Sequence, residues 1–384
     1  MKKIAFNYSG DVSGKGFAIQ QIDGELNFKL FYDFRENPLV LTANVTMGDK
    51  IELKLCSYRI ELYVNGKMVD EEWPCGNCLA EFGEGFTVTD EADIEVEEPA
   101  VISTFETAEG WKPEENVFVG DCMPYVDKDR YHVLYLKDRH HHDSKWHLGA
   151  HQWSHISTSD FVTWQVHPLA VGITDPLEGS ICTGSWIKYN NTHYLFYTIR
   201  MADGSAAQIK RSISTDGYHF KKDDSFCFTL SNKYDMPKAR DPKVICDSNG
   251  LFHMFLTTSL MEEQKGCLAH LISTDLNSWE ELSEPLYVNN DSRQPECPDY
   301  FKYKDKYYLL FSIKGNAQYR YSDKEFSDWQ IPITKEIPCY SVPKAAVWNE
   351  KLIFTGFNGG GKYGGTMTFK TAETDENGEF VYNE

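Results

Sequence analysis

Basic residues are scarce in this chain. Its 38 Lys and Arg stand against 58 Asp and Glu, and the formal net charge is −20 over 384 residues. A surface that acidic repels phosphate backbones and anionic bilayers, which argues against nucleic acid or a membrane as partner. Long apolar runs are missing too, and no stretch approaches the roughly 20 residues that a bilayer-spanning helix needs. The first ten residues turn polar before an apolar run develops, so no secretory leader is expected and a cytoplasmic location is. Cysteine is present but lacks the spacing of a disulfide framework. Cys56, Cys182 and Cys246 fall inside strand-like patterns, as free thiols of a reducing compartment would. Cys75-Gly76-Asn77-Cys78 is a lone CxxC and reads as a turn rather than a metal or redox pair. No motif calls for a cofactor or a metal, and nothing in the pattern sets an oligomeric state.

Aromatic residues are plentiful, at 14% of the chain with 9 Trp and 22 Tyr. That load suits a β-rich fold, and it suits sugars, whose faces stack on rings. From about residue 110 onward a motif recurs: a strand, Ser/Thr-Asp, a short turn, then an aromatic residue. It appears around Asp160, Asp216, Asp275 and Asp323, and more weakly at Asp375. The steps are roughly 50–60 residues, the size of one propeller blade. Each copy carries an aromatic-aliphatic strand ahead of the motif, such as Tyr131–Leu136, His193–Tyr197 and Tyr307–Phe311. Five copies predict a five-bladed β-propeller over 101–384. The Ser/Thr-Asp elements are expected to close turns on nearby backbone N–H groups, without a catalytic part.

A further strand precedes each aromatic-aliphatic one. Asp121, Asp241 and Glu296 open three of these, and the expectation is that all three occupy one equivalent address facing a central cavity. Converging carboxyl groups are the equipment of glycoside chemistry, in which one acts as acid and another as nucleophile or base.

Residues 1–100 lack this period. Short alternating runs such as Asn27–Tyr32 and Ile51–Leu55, and the hairpin signal Asn65-Gly66, predict a small antiparallel β-sandwich in an accessory role. The pattern resembles concanavalin-like modules. The acidic run 89–99 marks the expected boundary.

Residues 110–380 resemble glycoside hydrolase family 32, the β-fructofuranosidase, invertase and levanase group. The most specific stretch is 151–170, which starts His151-Gln152-Trp153-Ser154-His155 and is similar to the family's H-W-G-H-x-x-S-x-D segment. Arg240-Asp241-Pro242 matches R-D-P, and Glu296-Cys297-Pro298-Asp299 matches E-C-P-D. Cys182-Thr183-Gly184-Ser185 stands where the family has S-G-S. The resemblance implies Asp121 as nucleophile, Glu296 as acid/base and Asp241 as transition-state stabiliser. It implies Arg240, Thr183 and Cys297 around the substrate, with Arg240 orienting a carboxylate.

The chain departs from the family pattern at Gly120, where an Asn usually precedes the nucleophile, and at Ala239. Its loop Lys137–Trp146 also differs, and the sandwich precedes the propeller instead of following it. Within that loop, adjacent histidines point in different directions, so His140-His141-His142 is not read as one metal site. Arg139 and His140 are instead expected at the pocket rim, and Trp146 as a stacking platform. The leading expectation is a retaining glycosidase for small imported oligosaccharides, foremost β-fructofuranosides. The alternatives are an inverting family 43-like arabinosidase or xylosidase, and a non-catalytic sugar-binding propeller.

Overall fold

In the computed structural model the chain is nearly all-β, with strands joined by turns and loops. It describes residues 1–33, 36–56, 58–74, 76–91, 98–114, 116–226, 228–334, 337 and 341–382. Cys75 of the CxxC and residues 92–97 of the acidic run lie outside the described residues. The only helical turns among those described are Ser144–His147 and Met236–Lys238. Among the described residues no helix is long and apolar enough to cross a membrane. The chain divides into two compact units: residues 1–97 with 114–117 and 143–150, and the remainder.

The first unit contains two antiparallel sheets. One pairs Lys67–Glu72, Ile60–Val64, Lys50–Leu55, Lys2–Asn7 and Thr87–Asp90 in that order. The other pairs Val12–Gly14, Phe17–Ile22, Glu25–Leu30 and Leu39–Asn44. Alternation decides which side chains go inside. Ile51, Leu53, Ile60 and Leu62 of one sheet join Ile19, Leu26, Phe28 and Leu41 of the other in a single buried cluster. Asn65-Gly66 turns the hairpin with both residues at positive φ (52° and 82°), the conformation a two-residue loop requires. The segment Asp143–Ala150, which carries Trp146, packs with this unit: the Lys145 N–H donates to Glu72 Oε2 at 2.9 Å.

Among the described residues the second unit holds five antiparallel sheets, each a run of consecutive strands. Their leading strands are Phe118–Asp127, Glu178–Tyr189, Arg240–Cys246, Glu296–Tyr303 and Ser341–Trp348. Each leading strand packs against those of the sheets before and after it, and the fifth packs against the first, so they close a ring. The second strand of each sheet supplies the core between neighbours. Tyr131, Val133 and Tyr135 join Ile353 and Phe357, and Phe196 joins Met254 and Leu256. Burying each such side chain contributes roughly 1.5–3 kcal/mol.

The Ser/Thr-Asp turns behave as their chemistry dictates. Asp160 Oδ1 accepts the N–H groups of Val162 and Thr163, each at 2.8 Å. Asp216 does the same for Tyr218 and His219, and Asp275 for Asn277 and Ser278. Those donors hold the Asp160 and Asp275 carboxyls below the usual range. In the fourth copy Ser322 Oγ accepts the Lys324 N–H, while Asp323 pairs with Lys306 instead.

A group of buried histidines lies in the first sheet. His132 Nδ1 and His155 Nε2 are 2.9 Å apart, and Ser157 Oγ meets His167 Nε2 at 2.6 Å. Burial pushes His132 down to about 3 and His167 to about 4, and holds His155 well below the ordinary imidazole range. All three are therefore neutral at pH 7.

Candidate active site

The ring of leading strands carries one irregularity five times. In every sheet the leading strand loses register with the second strand and regains it one residue out of step. The breaks fall between Val119 and Cys122, Ile181 and Gly184, Arg240 and Lys243, Glu296 and Asp299, and Ser341 and Lys344. Each is a β-bulge, in which two residues oppose one. The bulged pairs are Gly120-Asp121, Cys182-Thr183, Asp241-Pro242, Cys297-Pro298 and Val342-Pro343. Proline fits there because a bulged residue owes no N–H to the ladder. Asp241, Cys297 and Val342 take positive φ (56°, 51° and 45°), which turns their side chains away from the strand's regular alternation.

This geometry corrects the expectation that the three acids share one address. Aligned on the bulges, Asp121 is at the second bulged position, Asp241 at the first, and Glu296 just before. Asp241 is thus the counterpart of Cys297, and Glu296 that of Arg240. The acids meet because the bulges re-aim them.

Asp121 is buried and held from three sides. Thr183 Oγ1 donates to Oδ2, Tyr363 Oη donates to Oδ1 at 3.1 Å, and Cys297 Sγ lies 3.4 Å from Oδ2. Asp241 is also buried. Its Oδ2 accepts the Cys297 N–H at 3.0 Å, and its own N–H donates to Thr198 Oγ1 at 3.0 Å. Cys297 Sγ is 3.6 Å from Asp241 Oδ2, so this one thiol sits between two carboxyls. Burial, reinforced by Asp241 and Asp121, keeps the Cys297 thiol protonated, well above its ordinary range. Burial likewise raises the Asp241 carboxyl, against the opposing pull of Arg240 and the Cys297 N–H.

Arg240 joins the third acid to the other two. Its Nη2 donates to Glu296 Oε1 at 2.7 Å, its Nη1 to Gln294 Oε1 at 2.6 Å, and its Nε lies 3.6 Å from Asp241 Oδ2. Glu296 is the most open of the three acids, with 40% of its side chain exposed.

Two contributors were not legible in the sequence. Tyr363 comes from the loop after Lys351–Asn358, 242 residues from Asp121. Burial and the Asp121 charge hold its phenol well above the ordinary range, so it stays a donor. Its hydroxyl occupies the space over Gly120, where an added Cβ would lie 2.6 Å from it. The second, Lys344, is 2% exposed and donates to Gly184 O at 3.1 Å and Pro298 O at 3.2 Å. Burial lowers its pKa, while the charges of Asp299 and Asp241 resist. It ties the bulges of the second and fourth sheets to the fifth. A cavity of about 310 Å³ is lined by residues beyond the bulges, including Lys243, Asp299 and Lys344, and by none of the three acids.

The remaining expected residues fall as follows. Thr183 and Cys297 touch Asp121 directly. Arg139 is buried and His140 half-buried in the loop after Arg130–Asp138. His140, His141 and His142 all take positive φ (66°, 52° and 73°). The His141 ring meets Tyr363 O at 2.7 Å, whereas His142 stacks on the Tyr363 ring at 3.6 Å. Trp146 belongs to the first unit. Trp153 is fully buried and donates to Cys182 O, a packing role.

Residues 105–333 match the family model described as glycosyl hydrolases family 32 N-terminal domain. A sucrose-6-phosphate hydrolase of Escherichia coli is 28% identical over 217 residues, which covers 53% of this chain and 43% of that protein. A raffinose invertase of Escherichia coli is 26% identical, over 48% of this chain and 39% of its own length. This chain thus spans less than half the length of these curated relatives. The crystal structure of fructan 1-exohydrolase IIa from Cichorium intybus superposes with a TM-score of 0.59 at 15% identity, covering 72% of this chain and 60% of that one. With the match to the family model spanning more than half of its residues, the chain belongs to glycosyl hydrolase family 32.

Proposed function

We propose that this protein is a retaining glycoside hydrolase that removes a β-fructofuranosyl unit from small oligosaccharides. The observation that carries the reading is the meeting of Asp121, Asp241 and Glu296 through Cys297 and Arg240. In this reading the five sheets are the blades of a five-bladed propeller spanning residues 101–384. The two N-terminal sheets form an accessory β-sandwich over residues 1–100.

Asp121 is the nucleophile. It attacks the anomeric carbon as the bond to the leaving-group oxygen breaks, and Glu296 gives that oxygen a proton. The product is a fructosyl ester on Asp121 and a free alcohol. Glu296, now ionised, takes a proton from water, and the resulting hydroxide displaces Asp121 from the sugar. Three donors around Asp121 fix the direction of the group that attacks and leaves. Asp241 lies beside the nucleophile and binds sugar hydroxyls, more tightly as the ring flattens toward an oxocarbenium ion. Arg240 fixes Glu296 and Asp241 relative to each other. The substrate is a sucrose-type fructoside, free or 6-phosphorylated, met in the cytoplasm.

The test is a product-resolved assay on sucrose, sucrose 6-phosphate, short fructans and pentosides. Release of fructose, or of another fructose-bearing product, with retained configuration is expected. Asp121→Ala should lower kcat by at least about 10⁴-fold. Turnover of pentosides alone, or an Asp121→Ala variant that keeps its activity, would overturn the assignment.

A further inference from the structure

We propose that Asp138, His142 and His151 form a binding site for a divalent transition-metal ion of the zinc class. These residues come from the end of Arg130–Asp138, the loop that follows, and the residue before Gln152–Thr158. One potential ligand atom from each lies within 4.8 Å of the other two. Two imidazoles and a carboxylate suit Zn²⁺, Co²⁺ or Ni²⁺ and do not suit Mg²⁺ or Ca²⁺, which favour oxygen ligands. Three donors each roughly 2.1 Å from one ion stand roughly 3.4 Å apart in a tetrahedral set, so small side-chain rotations complete the geometry.

A second observation points the same way. Asp138 has no exposed surface. Its Oδ1 accepts from His151 Nε2 at 2.8 Å and from the His142 N–H at 3.1 Å, while its Oδ2 is buried with no hydrogen-bond partner. A buried carboxylate oxygen without a donor or cation is costly, and an ion held between Oδ2 and the two rings supplies the missing charge. The His151 backbone N–H donates to Ser180 Oγ at 3.1 Å, which pins the main chain there. Position 364 is glycine, and a Cβ there would stand 2.6 Å from Asp138 Oδ2. Asp138 and His151 are buried, and His142 is half-buried. Of the three consecutive histidines only His142 takes part, because His141 turns to Tyr363 O. The ion would anchor the His142 ring, which stacks on Tyr363.

The proposal does not depend on the glycosidase reading, and its test reads metal rather than activity. The whole chain, stripped with chelator, is titrated with Zn²⁺ by calorimetry and with Co²⁺ by visible absorption. One ion per chain is expected, with the d–d bands of a low-symmetry nitrogen–oxygen site. Affinity should fall as pH is lowered, because protons compete with the ion for imidazole and carboxylate ligands. Asp138→Asn, His151→Gln and His142→Gln should each weaken binding by about 10- to 100-fold. His142 is in a half-exposed loop, so His142→Gln keeps the test open if the Asp138 variant fails to fold. Absence of stoichiometric binding, or binding unchanged in His142→Gln, would overturn the proposal and leave a hydrogen-bonded Asp–His pair.

Discussion

Tyr363 grips Asp121 twice: its hydroxyl donates to Asp121 Oδ1 at 3.1 Å and accepts the Asp121 backbone N–H at 3.3 Å. A single phenol therefore sets both the direction of the proposed nucleophile and the position of its bulge.

Tyr363→Phe should keep the ring and remove both bonds. The expected outcome is a fall in kcat of about 10- to 100-fold with KM changed far less, since the lost bond orients the attacking group rather than the substrate. Steady-state kinetics on the best fructoside checks this. A rise in KM alone would assign Tyr363 to substrate binding.

Gly120→Ala places a methyl group 2.6 Å from Tyr363 Oη and 3.0 Å from its ring. Tyr363 is half-buried, with its ring packed against Phe357 and His142, and has little room to retreat. The variant should lose about 1–3 kcal/mol of stability by denaturant unfolding. It should lose activity as well, in step with Tyr363→Phe. Combining the two should cost less than the sum of the separate losses.

Lys344→Met removes the donor to Gly184 O and Pro298 O and leaves buried carboxyls with one cation fewer. A loss of about 3–5 kcal/mol is expected in equilibrium unfolding, because a buried charge network broken on one side leaves uncompensated partners.

The buried histidines predict acid sensitivity. His132 and His167 bind protons in the folded chain only near pH 3 and 4, but near pH 6.5 when unfolded. Below about pH 6.5 the unfolded state binds more protons, so stability falls as pH falls. Each histidine contributes a slope of about 1.4 kcal/mol per pH unit until its folded pKa is reached. The stabilisation is fully present above pH 6.5. Chemical denaturation at pH 7.5, 6 and 5 measures the slope, and His155→Gln should make it shallower.

What could be read in the sequence was what local chemistry dictates. The Ser/Thr-Asp turns, the aromatic strands and the Asn65-Gly66 hairpin each depend on a handful of adjacent residues. The offset among the three acids depends on cross-strand register and was not read. Its trace was nonetheless present, because Pro242, Pro298 and Pro343 all occupy the second bulged position. Aligning on those prolines separates Asp241 from Glu296 by one residue. Tyr363 and Lys344 left no such trace, since their roles rest on partners far away along the chain. The three adjacent histidines were not read as one metal site. What adjacency hid is that His142 faces Asp138 and His151.

The five bulges also separate what folds this chain from what it does. A residue inside a bulge leaves the ladder intact when it is exchanged, since the strands already step around it. Asp121, Thr183, Asp241 and Cys297 all stand at such positions, so the strand pairing within each sheet uses none of those four residues. A sequence of this kind can change its chemistry one bulge at a time while its strand pairing stays constant, which leaves specificity free to drift on a fixed frame.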